Sequence, residues 1–237
     1  MAHVIPFHGT LYNPATVGDV RQVVAPPYDI IDATLQKTLH DRHPNNVIRL
    51  ELGYEQPGDT TGDNKYLRAA GALKEWLKSG ALRRDDKPAI YYHTIEYQPP
   101  YSAPGTPTKV FKGFLSTVEL EEFGSGKIYP HENTRAAAKT DRFNLLEACR
   151  ANFSAIISLY SDPQNDVLTL IEQSIASDKP RIDFQDDVGF RQRLWSVTDP
   201  AVLAKVVEIM HTKQLFIADG HHRYETALNY RRARRQQ

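Results

Sequence analysis

The sequence predicts an α+β fold: a mixed sheet with helices packed around it, in two loosely separated halves, 1–123 and 124–237, that form one continuous domain. Three observations predict it. Stretches of period-two alternation lie among segments whose apolar residues fall on one helical face. The two kinds do not take turns regularly, as they would in a doubly wound sheet. With 237 residues, 41% of them hydrophobic, the chain is long enough to bury a core.

Taken in order, the paired prolines of Ala25-Pro26-Pro27-Tyr28-Asp29 predict a rigid, ordered loop. Its hydroxyl and carboxylate could serve a site, and packing over the core is the reading favoured slightly. Asp32 caps a helix that runs to about His43, where Pro44 ends it. His40 and His43 near that end suit either a metal or a helix C-terminus that attracts cations. Val47 to Leu52 alternates and reads as a half-buried strand. The polar stretch 55–63 leads into a helix over 64–79, with Leu67, Ala70, Leu73, Trp76 and Leu77 on one face. Strands over 89–97 and 109–120 flank a proline-rich connection. Beyond the glycines at 124 and 126, helices are expected over 136–152, 163–177 and 200–212. The last two begin with Asp162-Pro163 and Asp199-Pro200, a capping carboxylate before a proline whose missing N–H costs nothing there. Strands fit 155–160, 181–185, 190–197 and 214–218.

Lys plus Arg is 29 and Asp plus Glu is 29, so the net charge is zero and no global field draws nucleic acid or anionic lipid. The lone Cys149 excludes an intrachain disulfide and favours a reducing compartment, so a cytoplasmic location is expected. No apolar run reaches the roughly 18 residues of a membrane span, and no secretory signal opens the chain. The arginines at 231, 232, 234 and 235 read first as a solvated helix end and second as a nucleic-acid contact.

The chemistry concentrates in two segments. Leu215 to Ala218 is a buried-strand run that leads directly into Asp219-Gly220-His221-His222-Arg223 and a helix. A strand, a glycine turn and a helix start present free N–H groups at the positive end of the helix dipole, the layout that binds phosphate. Arg223 adds a guanidinium fork, and the histidines add donors or proton carriers. The opposing reading makes Asp219 an ordinary cap. Adjacent histidines diverge on a helix and cannot chelate without a third ligand, so no metal is expected.

The second segment is Tyr129-Pro130-His131-Glu132-Asn133-Thr134-Arg135, followed by Lys139, Asp141 and Arg142. A carboxylate beside an imidazole suits proton abstraction from a hydroxyl, with His131 orienting Glu132, and Lys139 and Arg142 could neutralise phosphate. An ordinary polar helix start capped by Thr134, with surface ion pairs, accounts for the same spacing equally well.

APPYDII, NNVIRLELG, YPHENT with KTDRFNLLEACRANFSAIISLYSD, and FIADGHHRYETAL together resemble the domain of unknown function 1015 family, in order and over nearly the whole chain. The DGHHR turn is in turn similar to that of the ParB and sulfiredoxin superfamily, which includes CTP-hydrolysing partition proteins and free-serine kinases. That resemblance implies a phosphate-handling role for Asp219, Gly220, His221, His222 and Arg223. It places histidine where sulfiredoxins carry cysteine, so a sulfinic-acid reductase is not expected. It also implies longer relatives, and hence that a chain ending at Gln237 is a fragment or truncated form.

The expectation is therefore a nucleotide-dependent phosphotransferase or phosphohydrolase acting on a small hydroxylated metabolite such as free serine. ATP or ADP would act with magnesium, Glu132, His131 and His221 would be the catalytic groups, and Asp219, Gly220, His222, Arg223, Lys139 and Arg142 would hold phosphate. The alternative is a non-catalytic module that senses nucleotide or binds a partner or DNA.

Overall fold

The computed structural model describes residues 3–103, 105–124, 126–132, 134 and 136–236, with backbone alone at 136–138. The elements in chain order are β1 (Val4–Ile5), β2 (Thr10–Tyr12), α1 (Pro14–Val17), α2 (Ala33–Arg42), α3 (Ile48–Glu51), α4 (Lys65–Ser79), β3 (Leu82–Arg84), β4 (Ile90–Tyr97), β5 (Lys109–Leu115), β6 (Thr117–Val118), β7 (Ile128–Tyr129), α5 (Ala136–Cys149), β8 (Ile157–Leu159), α6 (Asp166–Ser174), β9 (Ile182–Gln185), β10 (Arg191–Val197), α7 (Pro200–His211), β11 (Leu215–Asp219) and α8 (His221–Arg235). Helices and sheets coexist without regular alternation, which makes the chain α+β. No helix is long and apolar enough to cross a membrane among the described residues.

Two compact units share the chain. One takes residues 1–9, 85–119 and 160–215, the other 10–84, 120–159 and 216–237. The first is built on an antiparallel sheet of order β5-β4-β10-β9, with β10 registered so that Trp195 faces Tyr92 and Leu194 faces His93. Its core includes Ile90, Tyr92, Val197, Ile171 of α6 and Val206 of α7, all nearly sealed from solvent. Helix α7 starts as its sequence predicts, with Asp199 Oδ1 accepting from the N–H of Ala201 at 2.8 Å and of Val202 at 3.2 Å.

Helix α6 differs from the expectation. Residues 162–165 form a turn closed by Asn165 N–H on the Asp162 carbonyl, Asn165 is left-handed at φ 57°, and the helix begins only at Asp166. The Asp162 carboxylate still accepts from the helix start, from three residues before the cap position, through the Val167 N–H at 3.0 Å.

The second unit holds α1 to α5, α8, the β2-β3 pair and β8. Val17, Val23, Leu50, Trp76, Ala81 and Leu82 form a buried cluster, with Tyr12, Leu73 and Phe153 packed on it. Helix α4 is capped by Asn64, whose Oδ1 accepts from Tyr66 and Leu67, and ends on left-handed Gly80. The expected strand over 47–52 is instead the single helical turn α3. The cause is Asn46, fully buried, whose Oδ1 accepts from the Ile48 N–H at 3.0 Å while its Nδ2 donates to the carbonyls of Gln22 and Val24. With Ile48, Leu50 and Glu51 all buried, a short alternation does not separate a strand from one turn of helix. Helix α5 also stops earlier than expected, at Cys149, where Arg150 turns left-handed at φ 50°.

Candidate active site

The site belongs to the second unit and begins with the end of β11. That strand alternates, with Leu215 and Ile217 buried and Phe216 and Asp219 exposed. Its antiparallel register with β8 slips between Ile217 and Asp219, a bulge that re-aims the chain just before the turn. Gly220 follows at φ 96°, a conformation that favours glycine. A Cβ there would also stand 3.0 Å from Arg223 Nε, because the guanidinium packs over the turn.

Helix α8 then starts without a side-chain cap. Tyr224 N–H makes the first intrahelical bond, to the Gly220 carbonyl at 3.0 Å, so the amides of the first turn before it are outside the ladder. Asp219 does not cap: its carboxylate pairs with Arg223, which also donates to the Ala155 carbonyl. Buried Tyr224 and Leu228 dock the helix, and the Tyr224 hydroxyl donates to the Glu121 carbonyl at 2.8 Å.

The YPHENT loop meets this turn across 90 residues of sequence. His221 is 1% exposed, and its Nε2 accepts from the His131 N–H at 3.2 Å. The lone pair on Nε2 is thereby engaged, which places the ring proton on Nδ1. Nδ1 stands 3.0 Å from Glu132 Oε1, yet the carboxylate is out of line for a hydrogen bond and this buried donor has no bonded partner. His131 is fixed differently, its Nδ1–H donating to the Ile217 carbonyl at 2.7 Å, which leaves Nε2 as a lone pair. The group facing Glu132 is therefore His221 rather than His131. The two imidazoles meet edge to face at 4.5 Å.

His131, Glu132 and His221 each place a ligand atom within 4.8 Å of the others. Neither nitrogen of His221 offers a free lone pair, however, and a cation would have to displace the Nδ1 proton. The bonding favours a proton-handling cluster over a metal centre.

Lys139 and Thr134 reach the site indirectly. Lys139 Nζ and Thr134 Oγ1 both donate to Glu225 Oε2, at 2.6 and 2.7 Å, tying the loop to the second turn of α8. Thr134 thus contacts α8. Burial alone would raise the Glu225 carboxyl, but Lys139, Thr134 and, more weakly, half-buried His222 outweigh it and hold it below the ordinary glutamate value. A carboxyl depressed on folding stabilises the fold above its unfolded pKa, and that contribution is lost as pH falls through the folded value. Between about pH 5 and pH 3, the melting temperature of the wild type should fall more steeply than that of Glu225→Gln. Parallel slopes in a thermal melt series would show that the tether contributes nothing.

Arg142 does not join the cluster. It is 7% exposed, with Nη1 on Glu51 Oε1 at 2.8 Å, Nη2 on the Glu51 carbonyl, and Nε on Asp141 at 2.9 Å. Its guanidinium also lies 4.2 Å from the centroid of the Tyr28 ring, so the proline-rich loop serves to cover this ion pair. Ser154 completes the arrangement by donating to Glu51 Oε1 at 2.9 Å. Asn133 and Arg135 lie outside the described residues. Neither histidine of α2 and its end assembles a site: His40 stacks on Tyr54 at 4.1 Å, and His43 Nδ1 accepts from the Asn45 N–H.

Two partner side chains escaped the sequence reading. Glu225 follows His221 by four residues, hence lies on the same helical face, and that spacing was the available signal. Glu51 had none, since its segment was read as a strand.

Residues 4–237 match the family described as "Protein of unknown function (DUF1015)". No curated protein and no solved structure matches the chain.

Proposed function

The chain belongs to the DUF1015 family, and from its site we propose a nucleotide-dependent phosphotransferase or phosphohydrolase acting on a small hydroxylated metabolite. The observation that carries this reading is the unpartnered, fully buried Nδ1–H of His221, set between Glu132 and the uncapped start of α8. A buried donor without an acceptor is costly unless a ligand supplies one, and an open helix N-terminus favours an anion. The similarity of DGHHR to the ParB and sulfiredoxin turn supports the same assignment.

In this reading the first-turn amides of α8 and His221 Nδ1–H hold the transferred phosphoryl group. Gly220 lets it approach the main chain, and Arg223 braces the turn through Asp219 and the Ala155 carbonyl. Glu132, about half exposed, takes the proton from the attacking hydroxyl. The hydroxyl oxygen forms the new bond to phosphorus as the bond to the nucleotide's bridging oxygen breaks, and that oxygen leaves with the electron pair. Magnesium, where bound, would come with the nucleotide and neutralise its phosphates. Phosphoryl transfer needs mostly positioning and charge neutralisation, which these groups supply.

Free serine, by the resemblance to serine kinases, is the first acceptor to test. Consumption of ATP, ADP or CTP with serine and magnesium is expected, and Arg223→Ala should weaken nucleotide binding at least tenfold. Unchanged affinity in that variant would sink the assignment. A second reading, nucleotide sensing without chemistry, is favoured by one observation: Lys139, Arg142 and Arg223 are already paired with carboxylates. Binding without consumption of any of the three nucleotides would select it.

A further inference from the structure

The last two turns of α8 carry charge that the reaction above does not use. Arg150, at the left-handed end of α5, and Arg231, Arg234 and Arg235 line a groove of about 440 Å³ together with Leu146 and Tyr230. Its volume falls in the range of roughly 300–1,000 Å³ typical of small-ligand sites. The charge around it is one-sided. Glu122 accepts from both Arg231 and Arg232, whereas Arg150 and Arg235 make no ion pair among the described residues. Since the chain as a whole is neutral, this is a local accumulation rather than a share of a general excess.

Arginine is suited to phosphate in two ways, through its fork of donors and by stacking on planar rings. The floor of the groove, Leu146 and the Tyr230 ring, offers an apolar surface that a bare phosphate or sulfate would leave uncovered. We propose that this groove is a second anion site, built for a nucleoside polyphosphate whose phosphates meet the arginines and whose base lies on the apolar floor. Its arginines lie toward the other end of α8 from His221: Arg231 and Arg235 are about 15 and 21 Å from it along the axis at ~1.5 Å per residue. Occupancy of the groove does not depend on the phosphoryl-transfer reading; only the second equivalent in the titration below rests on it.

The test is calorimetric titration of the 237-residue chain with ATP in the absence of magnesium, beside the Arg150→Ala/Arg235→Ala double variant and Arg223→Ala. Both groove side chains are exposed and unpaired, so the double variant should melt at the wild-type temperature. Wild type is expected to bind two equivalents. The double variant should weaken one of them at least tenfold, and Arg223→Ala should leave that one within about twofold. Wild-type stoichiometry and affinity in the double variant would overturn the groove site while leaving the site at the start of α8 standing. Inorganic tripolyphosphate binding the groove as tightly as ATP would overturn the nucleoside assignment. A single-stranded oligonucleotide displacing ATP from it would point to nucleic acid and overturn the proposal.

Discussion

Glu132→Gln should reduce turnover by about 10²- to 10⁴-fold, the usual contribution of a positioned general base, while nucleotide affinity stays within about twofold. The substitution keeps the size of the side chain and removes its charge and its basicity. His221 Nδ1–H, 3.0 Å from the Oε1 position, would face an amide and remain without a bonded partner, as it is beside the carboxylate. The fold should therefore be untouched, and the loss should appear in kcat with little change in KM. Steady-state kinetics on the first acceptor that shows turnover will check this. Activity within tenfold of wild type would remove Glu132 from the chemistry and direct attention to His131, whose Nε2 carries the other available lone pair.

The second large effect is on stability. Arg142→Ala should cost about 3–5 kcal/mol, the range for breaking a buried ion pair by removing one partner. Arg142 and Glu51 side chains are only 7% and 8% exposed. Truncation would leave the Glu51 carboxylate with Ser154 alone, and would open the space under the Tyr28 ring. Replacing both partners, Arg142→Met with Glu51→Leu, should recover much of that loss, because two apolar side chains need no compensating charge. Urea denaturation of the single and double variants forms the cycle. A single-variant loss below about 1 kcal/mol would show that the pair is far better solvated than its burial indicates. The outcome also bears on function, since an arginine that holds α5 to the main chain at Glu51 is not free to hold phosphate.

Local chemistry made much of this molecule legible. The carboxylates that cap α2 and α7 act through neighbours two or three residues away, so Asp32 and Asp199 could be read directly; the Asn64 cap of α4 was not read, and the residue was placed inside the helix. So could the strand, glycine and helix of the DGHHR turn, whose geometry depends on consecutive residues. Position 162 shows the limit of such reasoning: the capping carboxylate was identified, but the turn through Asn165 delayed the helix. Contacts between distant segments were out of reach. Nothing local distinguishes His131, anchored to Ile217, from a histidine oriented on its own neighbour Glu132. Arg142 looked like a phosphate ligand because its partner Glu51, 91 residues earlier, lay in a segment read as a strand. For Arg142 burial decided the outcome, by forcing a charged group to find partners wherever the chain brought them.

The order in which the chain is made matters for the site. The unit that carries it takes its first segment from 10–84, its second from 120–159 and its third from 216–237. As the polypeptide leaves the ribosome, at about 5–20 residues per second, the YPHENT loop emerges long before its partners on α8. Until then Glu132 lacks His221 and the Lys139 ammonium lacks Glu225. Closing contacts of such long sequence separation is slow, because loop entropy must be overcome before any of them forms. The residues of the proposed site therefore cannot come together until α8 has emerged and docked.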